Sequence, residues 1–436
     1  MKLYYKINTY GCQMNVHESE KIAGQLIERG YLPTDDDNLA DVIVFNTCCI
    51  RDNAERRAFG NVGALKKLKK AKKSLIIAIG GCMTQQPGVA DMLRQKFPFI
   101  DIIFGTYNLS DFGKMLDDRL KNGKKFTSLI DSYSLNENVP IYRTSGTNAW
   151  VNIIYGCNNF CTYCIVPHVR GRETSRDKQV ILDEIKRCLD EGYKEITLLG
   201  QNVNSYGNDR GETNAFASLL ADISKIDGKF RLRFMTSHPK DLSQDVVDIM
   251  ASTPNICNNI HLPVQSGSTS VLKDMNRKYT REHYLSLIDM IRSKIPNCGI
   301  TTDIMVGFPT ETEEDFLQTM SLVEQVRFLS AFTFVYSPRN LTPAAKMPQL
   351  DECVKKDRIT RLIDLQNEIT LQESTRCVGG VYEVLCEDKV GDNIYCGRTD
   401  EGKLVSFSSD YDLLGQFVNI RIDSAKHSAL FGKVEV

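Results

Sequence analysis

The sequence lacks a long hydrophobic run. No stretch of about eighteen consecutive apolar residues occurs in the 436 residues, so we expect no transmembrane helix and no membrane partner. Residues 1–6 contain no apolar signal core, which indicates that the protein is not exported. Fourteen cysteines without such a signal indicate a reducing compartment, and metal binding rather than disulfides. We therefore expect a cytoplasmic protein.

The sequence also lacks an excess of charge of either sign. Its 54 Lys and Arg and 55 Asp and Glu give a formal net charge of −1, which argues against a uniformly basic nucleic-acid-binding protein. A local basic surface stays open, because phosphate contacts need only a cluster of Lys and Arg. No internal repeat or low-complexity tract stands out, and the length suits two or three domains.

One run of residues carries a strong chemical signal. Cys157, Cys161 and Cys164 have the spacing CxxxCxxC, and three thiolates this close can bind three irons of a [4Fe–4S] cluster. The next cysteine, Cys188, falls in a predicted helix, which leaves the fourth iron open to another ligand. Two alternatives are a structural zinc site, which takes four tetrahedral ligands, and a redox pair of Cys161 and Cys164. Ligand count and spacing favour the open cluster.

A second set of cysteines is dispersed along the first hundred residues. Cys12, Cys48 and Cys82 each follow a short apolar or β-branched run that predicts a buried strand. Helix-like stretches lie between these runs, so we expect βαβ units and a parallel sheet. The three thiols would then meet at the carboxyl edge, where such sheets bind ligands. The alternative is that they pack as small apolar residues, the role we assign to the neighbouring Cys49.

The pattern along the chain predicts an α/β protein of three domains. Residues 1–121 form a Rossmann-like parallel sheet, and residues 122–146 are a polar linker. Residues 147–373 hold six strand candidates separated by helices, typical of a partial TIM-type barrel with its chemistry at the carboxyl ends of the strands. Residues 374–436 contain short runs in which apolar and polar residues alternate. This pattern predicts a small antiparallel β-barrel, which we expect to fold as a unit of its own. The six strand candidates are Trp150–Tyr155, Glu195–Leu199, Arg231–Met235, Asn259–Leu262, Thr301–Val306 and Ala331–Tyr336.

Distinct short motifs occur along almost the whole length of the chain. They are Asn8–Asn15, Asn46–Cys48, Gly80–Cys82, Gly156–Gly171, Gly200–Tyr206, Thr236–Pro239, His261–Ser268 and Asp303–Pro309. Together they resemble the methylthiotransferases, which are radical S-adenosylmethionine (SAM) enzymes with two iron–sulfur clusters. Gln201–Asn204 and Thr236–Pro239 resemble in particular the branch that acts on isopentenylated adenosine in tRNA. Residues 339–342 depart from the family's Arg-Pro-Gly-Thr, so its loop conformation does not carry over.

The resemblance implies a mechanism and partners. One [4Fe–4S] cluster, on the CxxxCxxC cysteines, would cleave SAM, and another, on the dispersed cysteines, would supply sulfur that a second SAM methylates. The product would be a methylthio group on C2 of N6-isopentenyladenosine beside the tRNA anticodon. The implied partners are the anticodon stem-loop of tRNA, an electron donor such as a flavodoxin or ferredoxin, and a sulfur or cluster donor. The chain would act as a monomer, and its carboxy-terminal barrel would be an RNA-binding TRAM domain.

The resemblance and the strand-end positions also suggest residues that bind the cofactor. Tyr163 would lie against the adenine of SAM, as the aromatic residue at this place does in the superfamily. A group of polar residues at strand ends could bind the ribose and amino-acid groups of SAM or the substrate, although loop polarity alone would also explain them. That group is Gln201, Asn202, Ser237, Gln265 and Ser266. We expect no catalytic residue beyond the cluster ligands, and structural hydrogen-bonding roles for His238 and His261.

Basic residues that could meet phosphates fall into two groups. The lysines of residues 66–73 crowd one helix end, where solvation is the commoner role. The other candidates are Arg170, Arg172, Arg176 and Lys278.

Rival functions come from two classes. Sister branches of the family modify threonylcarbamoyl adenosine in tRNA or an aspartate of a ribosomal protein. Outside enzymes, the chain could be a zinc-dependent RNA-binding protein. Iron with inorganic sulfide after anaerobic purification would favour the enzyme, and zinc would favour the binding protein.

Overall fold

The computed structural model describes residues 2–49, 52–133, 137–143 and 146–435, with the side chains of residues 52–54 left out. By its internal contacts the chain divides into two compact units. The first unit comprises Met1–Thr144, Tyr155–Asn158 and Ile165–Arg176, and the second comprises Ser145–Ile154, Asn159–Cys164 and Asp177–Val436. Among the described residues, none of the helices combines the length and the apolar character needed to cross a membrane.

The first unit is built on a six-stranded parallel sheet in the order β2-β1-β3-β4-β5-β6. Its strands are β1 (Leu3–Thr9), β2 (Tyr31–Pro33), β3 (Val42–Thr47), β4 (Ile76–Gly81), β5 (Ile102–Phe104) and β6 (Phe126–Ser128). Its helices are α1 (Gln13–Ile27), α2 (Asp52–Ala64), α3 (Lys66–Ala71), α4 (Val89–Lys96) and α5 (Phe112–Asn122). The predicted Rossmann-like sheet is confirmed.

The two central strands of this sheet are buried on both faces. Ile43 and Ile77 pack in one hydrophobic cluster, whereas Val42 and Val44 pack in the cluster on the other face. This alternation explains why the strands read as continuous apolar runs, as parallel strands covered by helices on both sides do. β6 lies inside the predicted linker 122–146, where it extends the sheet. Residues 134–136 and 144–145 of that linker lie outside the described residues.

The middle of the chain forms a partial barrel of six parallel strands. The strands that follow β6 are β7 (Asn148–Asn152), β8 (Ile154–Tyr155), β9 (Thr174–Ser175), β10 (Glu195–Leu199), β11 (Arg231–Phe234), β12 (Asn259–His261), β13 (Gly299–Val306) and β14 (Ser330–Val335). β7, β10 and β11 pair in parallel, as do β12, β13 and β14, and a parallel bridge from Leu232 to Ile256 lies beside β11. All six predicted strands are present within two residues at each end, except that β7 ends three residues before the predicted Tyr155.

Helices follow the strands of the barrel. They are α6 (Val166–Arg170), α7 (Lys178–Asp190), α8 (Ala215–Ile223), α9 (Gln244–Ser252), α10 (Thr269–Asp274), α11 (Arg281–Lys294), α12 (Glu313–Val326) and α13 (Glu352–Thr375). Side-chain caps fix where several of them begin. The Asp177 carboxylate accepts hydrogen bonds from the amides of Gln179 and Val180 in the first turn of α7. Thr312 and Asp315 form a reciprocal capping box at the start of α12.

The carboxy-terminal strands close into a five-stranded barrel in the order β15-β16-β17-β19-β18. They are β15 (Val381–Gly391), β16 (Ile394–Thr399), β17 (Leu404–Ser408), β18 (Phe417–Lys426) and β19 (Ala429–Val434). The sequence predicts an antiparallel barrel, and four of the five pairings are antiparallel. The β17–β19 pairing is parallel because strand directions cannot alternate strictly around a closed ring with an odd number of strands.

Hydrogen bonds join this barrel to the partial barrel, and its folding as a unit of its own stays a prediction. It belongs to the second compact unit with the partial barrel. Arg231 donates to carbonyl oxygens of β15 and β16, and Arg233 donates to both carbonyl oxygens of residues 399–400. Arg233 is also paired with the buried carboxylate of Glu195 at 2.8 Å. Buried backbone carbonyls and guanidinium groups satisfy one another across this junction, so neither side is complete without the other.

Candidate functional site

Three adjacent strands of the first sheet end in cysteines. Cys12 follows β1, Cys48 follows β3 and Cys82 follows β4, and these strands are neighbours in the order β1-β3-β4. The Cys82 amide donates to the Thr47 carbonyl oxygen at 2.9 Å. A Cβ atom placed on Gly11 would lie 2.8 Å from the Cβ of Cys48. The fold therefore gathers the three loops at the carboxyl edge of the sheet, as the sequence predicts. We call these cysteines the strand-end set.

An amide network holds the loops of the strand-end set together. The Asn46 side chain donates to the Asn15 carbonyl oxygen at 2.8 Å and accepts from the Asn15 side chain at 3.3 Å. Asn15 also donates to the Thr47 carbonyl oxygen, and Thr47 donates to the Gly80 carbonyl oxygen at 2.5 Å. α1 is thus tied to the ends of β3 and β4. The motif residues around the cysteines serve to fix the backbone that presents the thiols.

Glycine is required beside the third cysteine of this set. Gly81 has φ +100°, and a Cβ atom there would clash with the carbonyl oxygen of Thr47. The close approach of the β3 and β4 ends therefore depends on the missing side chain.

The electrostatic environment of the strand-end set favours anionic sulfur. Cys12 is the N-cap residue of α1, where the helix dipole favours negative charge. A hydrogen bond with Cys49 and the nearby Arg170 guanidinium lower the pKa of Cys82, against the effect of burial. Arg170 Nε donates to Cys82 Sγ at 3.1 Å. Cys49 is buried in the apolar cluster, as expected, but its thiol also contacts Cys82.

Of the CxxxCxxC cysteines, which we call the loop set, Cys157 belongs to the first unit, and Cys161 and Cys164 belong to the second. The Cys157 amide donates to the Gly171 carbonyl oxygen at 3.1 Å within the first unit. In the second unit, the Cys164 amide donates to the Cys161 carbonyl oxygen at 2.9 Å, which forms a turn. Asn276 donates to the Phe160 carbonyl oxygen at 3.0 Å. These hydrogen bonds to backbone carbonyl oxygens fix the backbone that carries the three cysteines.

A buried arginine lies beside the loop set too. Arg277 donates to Cys161 Sγ at 3.5 Å, to the Tyr163 hydroxyl at 3.4 Å and to the Pro263 carbonyl oxygen at 2.8 Å. Tyr163 packs on an apolar cluster that includes Met275. Sequence reasoning missed Arg277, because a single arginine in a polar loop carries no signal of burial. Each cysteine set thus has one buried guanidinium in contact with one of its sulfurs.

The polar residues predicted to bind the cofactor divide into two groups. Asn202 Oδ1 and Ser237 Oγ are buried at the ends of β10 and β11 without a hydrogen-bond partner among the residues that the structure describes. The side-chain oxygen and nitrogen of Asn204, which was not among the predicted cofactor-binding residues, are also buried without a hydrogen-bond partner among the described residues. Because buried polar groups are nearly always satisfied, these atoms indicate a polar ligand or ordered water at this edge. Gln201 follows β10 at the same edge.

Gln265 and Ser266 have structural roles in the loop after β12. Gln265 has φ +68°, and its backbone pairs with Asp303 and Met305 of β13. Ser266 is fully buried, and its hydroxyl accepts from the Ser268 amide at 3.2 Å and contacts the Thr319 hydroxyl. The Ser266 hydroxyl is therefore engaged within the protein, and its contact with a cofactor stays a prediction.

The two histidines have structural hydrogen bonds, as the sequence interpretation favoured. His238 Nδ1 accepts from the Lys240 amide at 3.2 Å, and burial, aided by Arg277 and Lys240, lowers the pKa of His238 to about 2. The ring is neutral at working pH and Nε2 carries the proton. His261 Nδ1 lies 3.0 Å from the Thr301 hydroxyl.

For two of the arginines considered for phosphate binding, the prediction is wrong. Arg170 is buried against Glu18, and Arg176 is buried against Glu137 at 2.7 Å. Of the lysines on α3 and after it, Lys69 and Lys72 form ion pairs with aspartates of the same unit. These side chains are committed to structure within the first unit.

The chemistry of the two donor sets suits iron–sulfur clusters. Among the residues that the structure describes, no three His, Cys, Asp or Glu side chains are arranged to hold one metal ion. The thiolates of a [4Fe–4S] cluster each bind a different iron, so they need not meet at one point as zinc ligands do. Three strand-end thiols with a cationic neighbour suit a cluster with an open iron, and the zinc alternative is not supported.

Comparison with known proteins agrees with this geometry. Three family models match: the radical SAM superfamily at residues 151–323, the uncharacterized protein family UPF0004 at residues 4–105, and the TRAM domain at residues 375–434. A solved structure of the radical SAM methyltransferase TsrM from Kitasatospora setae covers 90% of this chain and 79% of its own, with TM-score 0.57 and 13% identity. This likeness shows the fold.

Curated relatives match over nearly the whole length. The tRNA-2-methylthio-N(6)-dimethylallyladenosine synthase of Carboxydothermus hydrogenoformans is 52% identical over 429 residues, 98% of this chain and 97% of that protein. The synthase of Thermoanaerobacter sp. (strain X514) is 50% identical over 436 residues, 99% of this chain and 93% of that protein. The cofactors of this family are [4Fe–4S] clusters and SAM. The chain belongs to the tRNA-2-methylthio-N(6)-dimethylallyladenosine synthases, which are radical SAM tRNA methylthiotransferases.

Proposed function

We propose that the enzyme adds a methylthio group to C2 of N6-isopentenyladenosine next to the tRNA anticodon. The observation that carries the proposal is the strand-end set, gathered from three separate loops in a chain that also holds CxxxCxxC. A loop set alone would suffice to cleave SAM. Formation of a C–S bond also needs a bound source of sulfur, and a second site of three thiols beside a cation is suited to hold one.

The residues divide the work between two sites. Cys157, Cys161 and Cys164 would hold the SAM-binding cluster, and the strand-end set would hold the second cluster. When bound, the two clusters and SAM supply the electron, the hydrogen abstraction, the sulfur and the methyl group. The protein would hold the clusters, SAM and the target base close together and would exclude water from them.

Side chains near the loop set orient the bound groups. Arg277 places a fixed positive charge and N–H donors beside Cys161 and the Tyr163 hydroxyl. The unpartnered Asn202 Oδ1 and Ser237 Oγ would meet polar groups of SAM or of the target nucleoside. His238 stays neutral near pH 7, so it would donate from Nε2 rather than transfer a proton.

The substrate and partners follow from the same assignment. The names of the curated relatives and the TRAM domain support a tRNA substrate, and a base in the anticodon loop can be splayed out and read on its edges. Turnover would draw on an electron donor such as a flavodoxin or ferredoxin and on a sulfur or cluster donor. The enzyme would act as a cytoplasmic monomer.

Expression in a bacterial strain that lacks this modification would test the proposal. We expect mass spectrometry of digested tRNA to show the methylthio derivative of isopentenyladenosine. Anaerobically purified protein should contain about eight iron atoms per chain, as two [4Fe–4S] clusters require. A methylthio derivative of threonylcarbamoyl adenosine, or of a ribosomal protein, would move the enzyme to a sister branch.

A further inference from the structure

Arg170 is a buried side chain with its polar atoms aimed at three different partners. It ends α6, and only 2% of its surface is exposed. Its Nη1 and Nη2 donate to the two carboxylate oxygens of Glu18 at 2.6 and 3.1 Å. Its Nε donates to Cys82 Sγ at 3.1 Å, and Nη1 also contacts Met14 Sδ at 3.0 Å. The guanidinium is therefore fixed in orientation.

Packing on both sides maintains this orientation. Glu18 is itself only 4% exposed and lies on α1, the helix that Cys12 caps. Gly171, directly after Arg170, has φ +68°, and a Cβ atom there would lie 2.8 Å from the Tyr107 hydroxyl. The backbone at the end of α6 can thus approach closely only because residue 171 is glycine.

Stability alone is a weak reason for such a pair. Removing two charges from water is costly, and well-packed apolar residues often replace a buried ion pair without loss. What an apolar pair could not provide is an N–H donor and a positive charge beside a cysteine sulfur.

We propose that Arg170, held in place by Glu18, is a positioning residue of the strand-end site that orients Cys82 and raises the reduction potential of the cluster bound there. This inference rests on the proposed function, because it assumes a cluster on Cys12, Cys48 and Cys82. Hydrogen bonds to sulfur and nearby positive charge stabilise the more negative, reduced cluster. The Glu18 carboxylate opposes part of that effect, so the two residues act on the potential with opposite signs.

The test uses full-length protein that holds only the strand-end cluster. The background carries Cys157→Ala, Cys161→Ala and Cys164→Ala, and redox titrations are followed by electron paramagnetic resonance under anaerobic conditions. We expect Arg170→Gln to lower the ratio of reduced to oxidised cluster at fixed potential by about tenfold, which is ~59 mV for a one-electron couple. Glu18→Gln should shift the potential in the opposite direction.

Arg176→Gln is the matched control. Arg176 is also a buried arginine of the first unit in an ion pair, and its partner is Glu137 rather than a residue of the strand-end site. Its substitution should leave the potential unchanged. A general effect of a buried charge, or of loosened packing, would instead shift the potential in both arginine variants and would overturn the proposal.

The outcomes separate this proposal from the function it rests on. A background protein without any iron–sulfur cluster would overturn the proposed function. A cluster with unchanged potential in both the Arg170 and the Glu18 variants would overturn only the role of Arg170. If Arg170→Gln does not fold, Glu18→Gln decides alone, since the amide has the shape of the carboxylate: an upward shift supports the proposal, and no shift or a downward shift overturns it.

Discussion

The two cysteine sets are assembled in opposite ways. The loop set occupies eight consecutive residues, whereas the strand-end set is drawn from three loops between Cys12 and Cys82. Two of the three strand-end cysteines, Cys48 and Cys82, are 2% and 1% exposed, whereas in the loop set only Cys161 is buried, at 8% exposed. A local set can be recognised from spacing and lies open to a ligand. A set assembled by the fold is mostly buried, here except for the partly exposed Cys12, and its geometry is only as exact as the sheet that carries it.

The largest difference between the sets should appear when the loop set is removed. In Cys157→Ala, Cys161→Ala, Cys164→Ala protein we expect about half the iron and no cleavage of SAM, because in the proposed function each set holds its own cluster. Iron analysis and chromatography of 5′-deoxyadenosine measure both quantities. Cys353→Ala, which alters an exposed cysteine, is the control. Cleavage of SAM by the triple variant would show that the loop set is not the cluster site.

Removal of the strand-end set should separate the two activities. With Cys12, Cys48 and Cys82 changed to Ala, SAM should still be cleaved, but no methylthio product should form. Mass spectrometry of tRNA nucleosides after single-turnover reactions checks this. Full methylthiolation by this variant would leave the strand-end thiols with a structural role only.

The network behind the strand-end set should matter more than the contacts behind the loop set. Asn46→Ala removes three buried hydrogen bonds, to the Asn15 carbonyl oxygen, the Ser19 hydroxyl and the Asn15 side chain, so we expect a loss of about 2 kcal/mol in the free energy of unfolding. Thr162→Ala removes one half-buried hydrogen bond to the Asp274 carbonyl oxygen and should cost about 1 kcal/mol. Urea unfolding of the apo-protein compares the two. Equal losses of unfolding free energy in the two variants would contradict the expected difference between the two cysteine sets.

The smallest effect is a pH dependence of the unit that holds Cys161 and Cys164. His238 has its pKa lowered to about 2 by burial, against about 6.5 when unfolded. Below pH 6.5 the unfolded chain binds a proton that the folded one does not, so stability falls as the pH falls. Between pH 7 and 5.5 we expect a loss of about 1 kcal/mol that His238→Asn abolishes and His427→Asn, at an exposed turn, does not. Identical urea midpoints for His238→Asn and wild type across this range would contradict the assignment.

Much of the fold follows from patterns that a sequence displays. β3 and β4 read as apolar runs because both of their faces are buried, and the cysteines could be placed because each follows such a run. Arg170 and Arg277 could not be found in this way. Arginine is normally exposed, and only the fold shows that these two are buried beside sulfur. The parallel β17–β19 pair and the strand β6 likewise depend on closure and on a sheet edge, which lie outside any local pattern.

If the carboxy-terminal barrel binds the RNA as proposed, its anchoring sets a length requirement on that RNA. Its contacts meet the first residues of β11, β12 and β13: Arg231, Asn259 and Gly299. Chemistry in a TIM-type barrel occurs at the opposite, carboxyl ends of the strands. A strand of eight residues such as β13 spans roughly 25 Å, so an RNA in contact with both faces must bridge about that distance. An isolated nucleoside or a short loop fragment would reach one face only, so a barrel that binds RNA would let the enzyme select its substrate by size as well as by base.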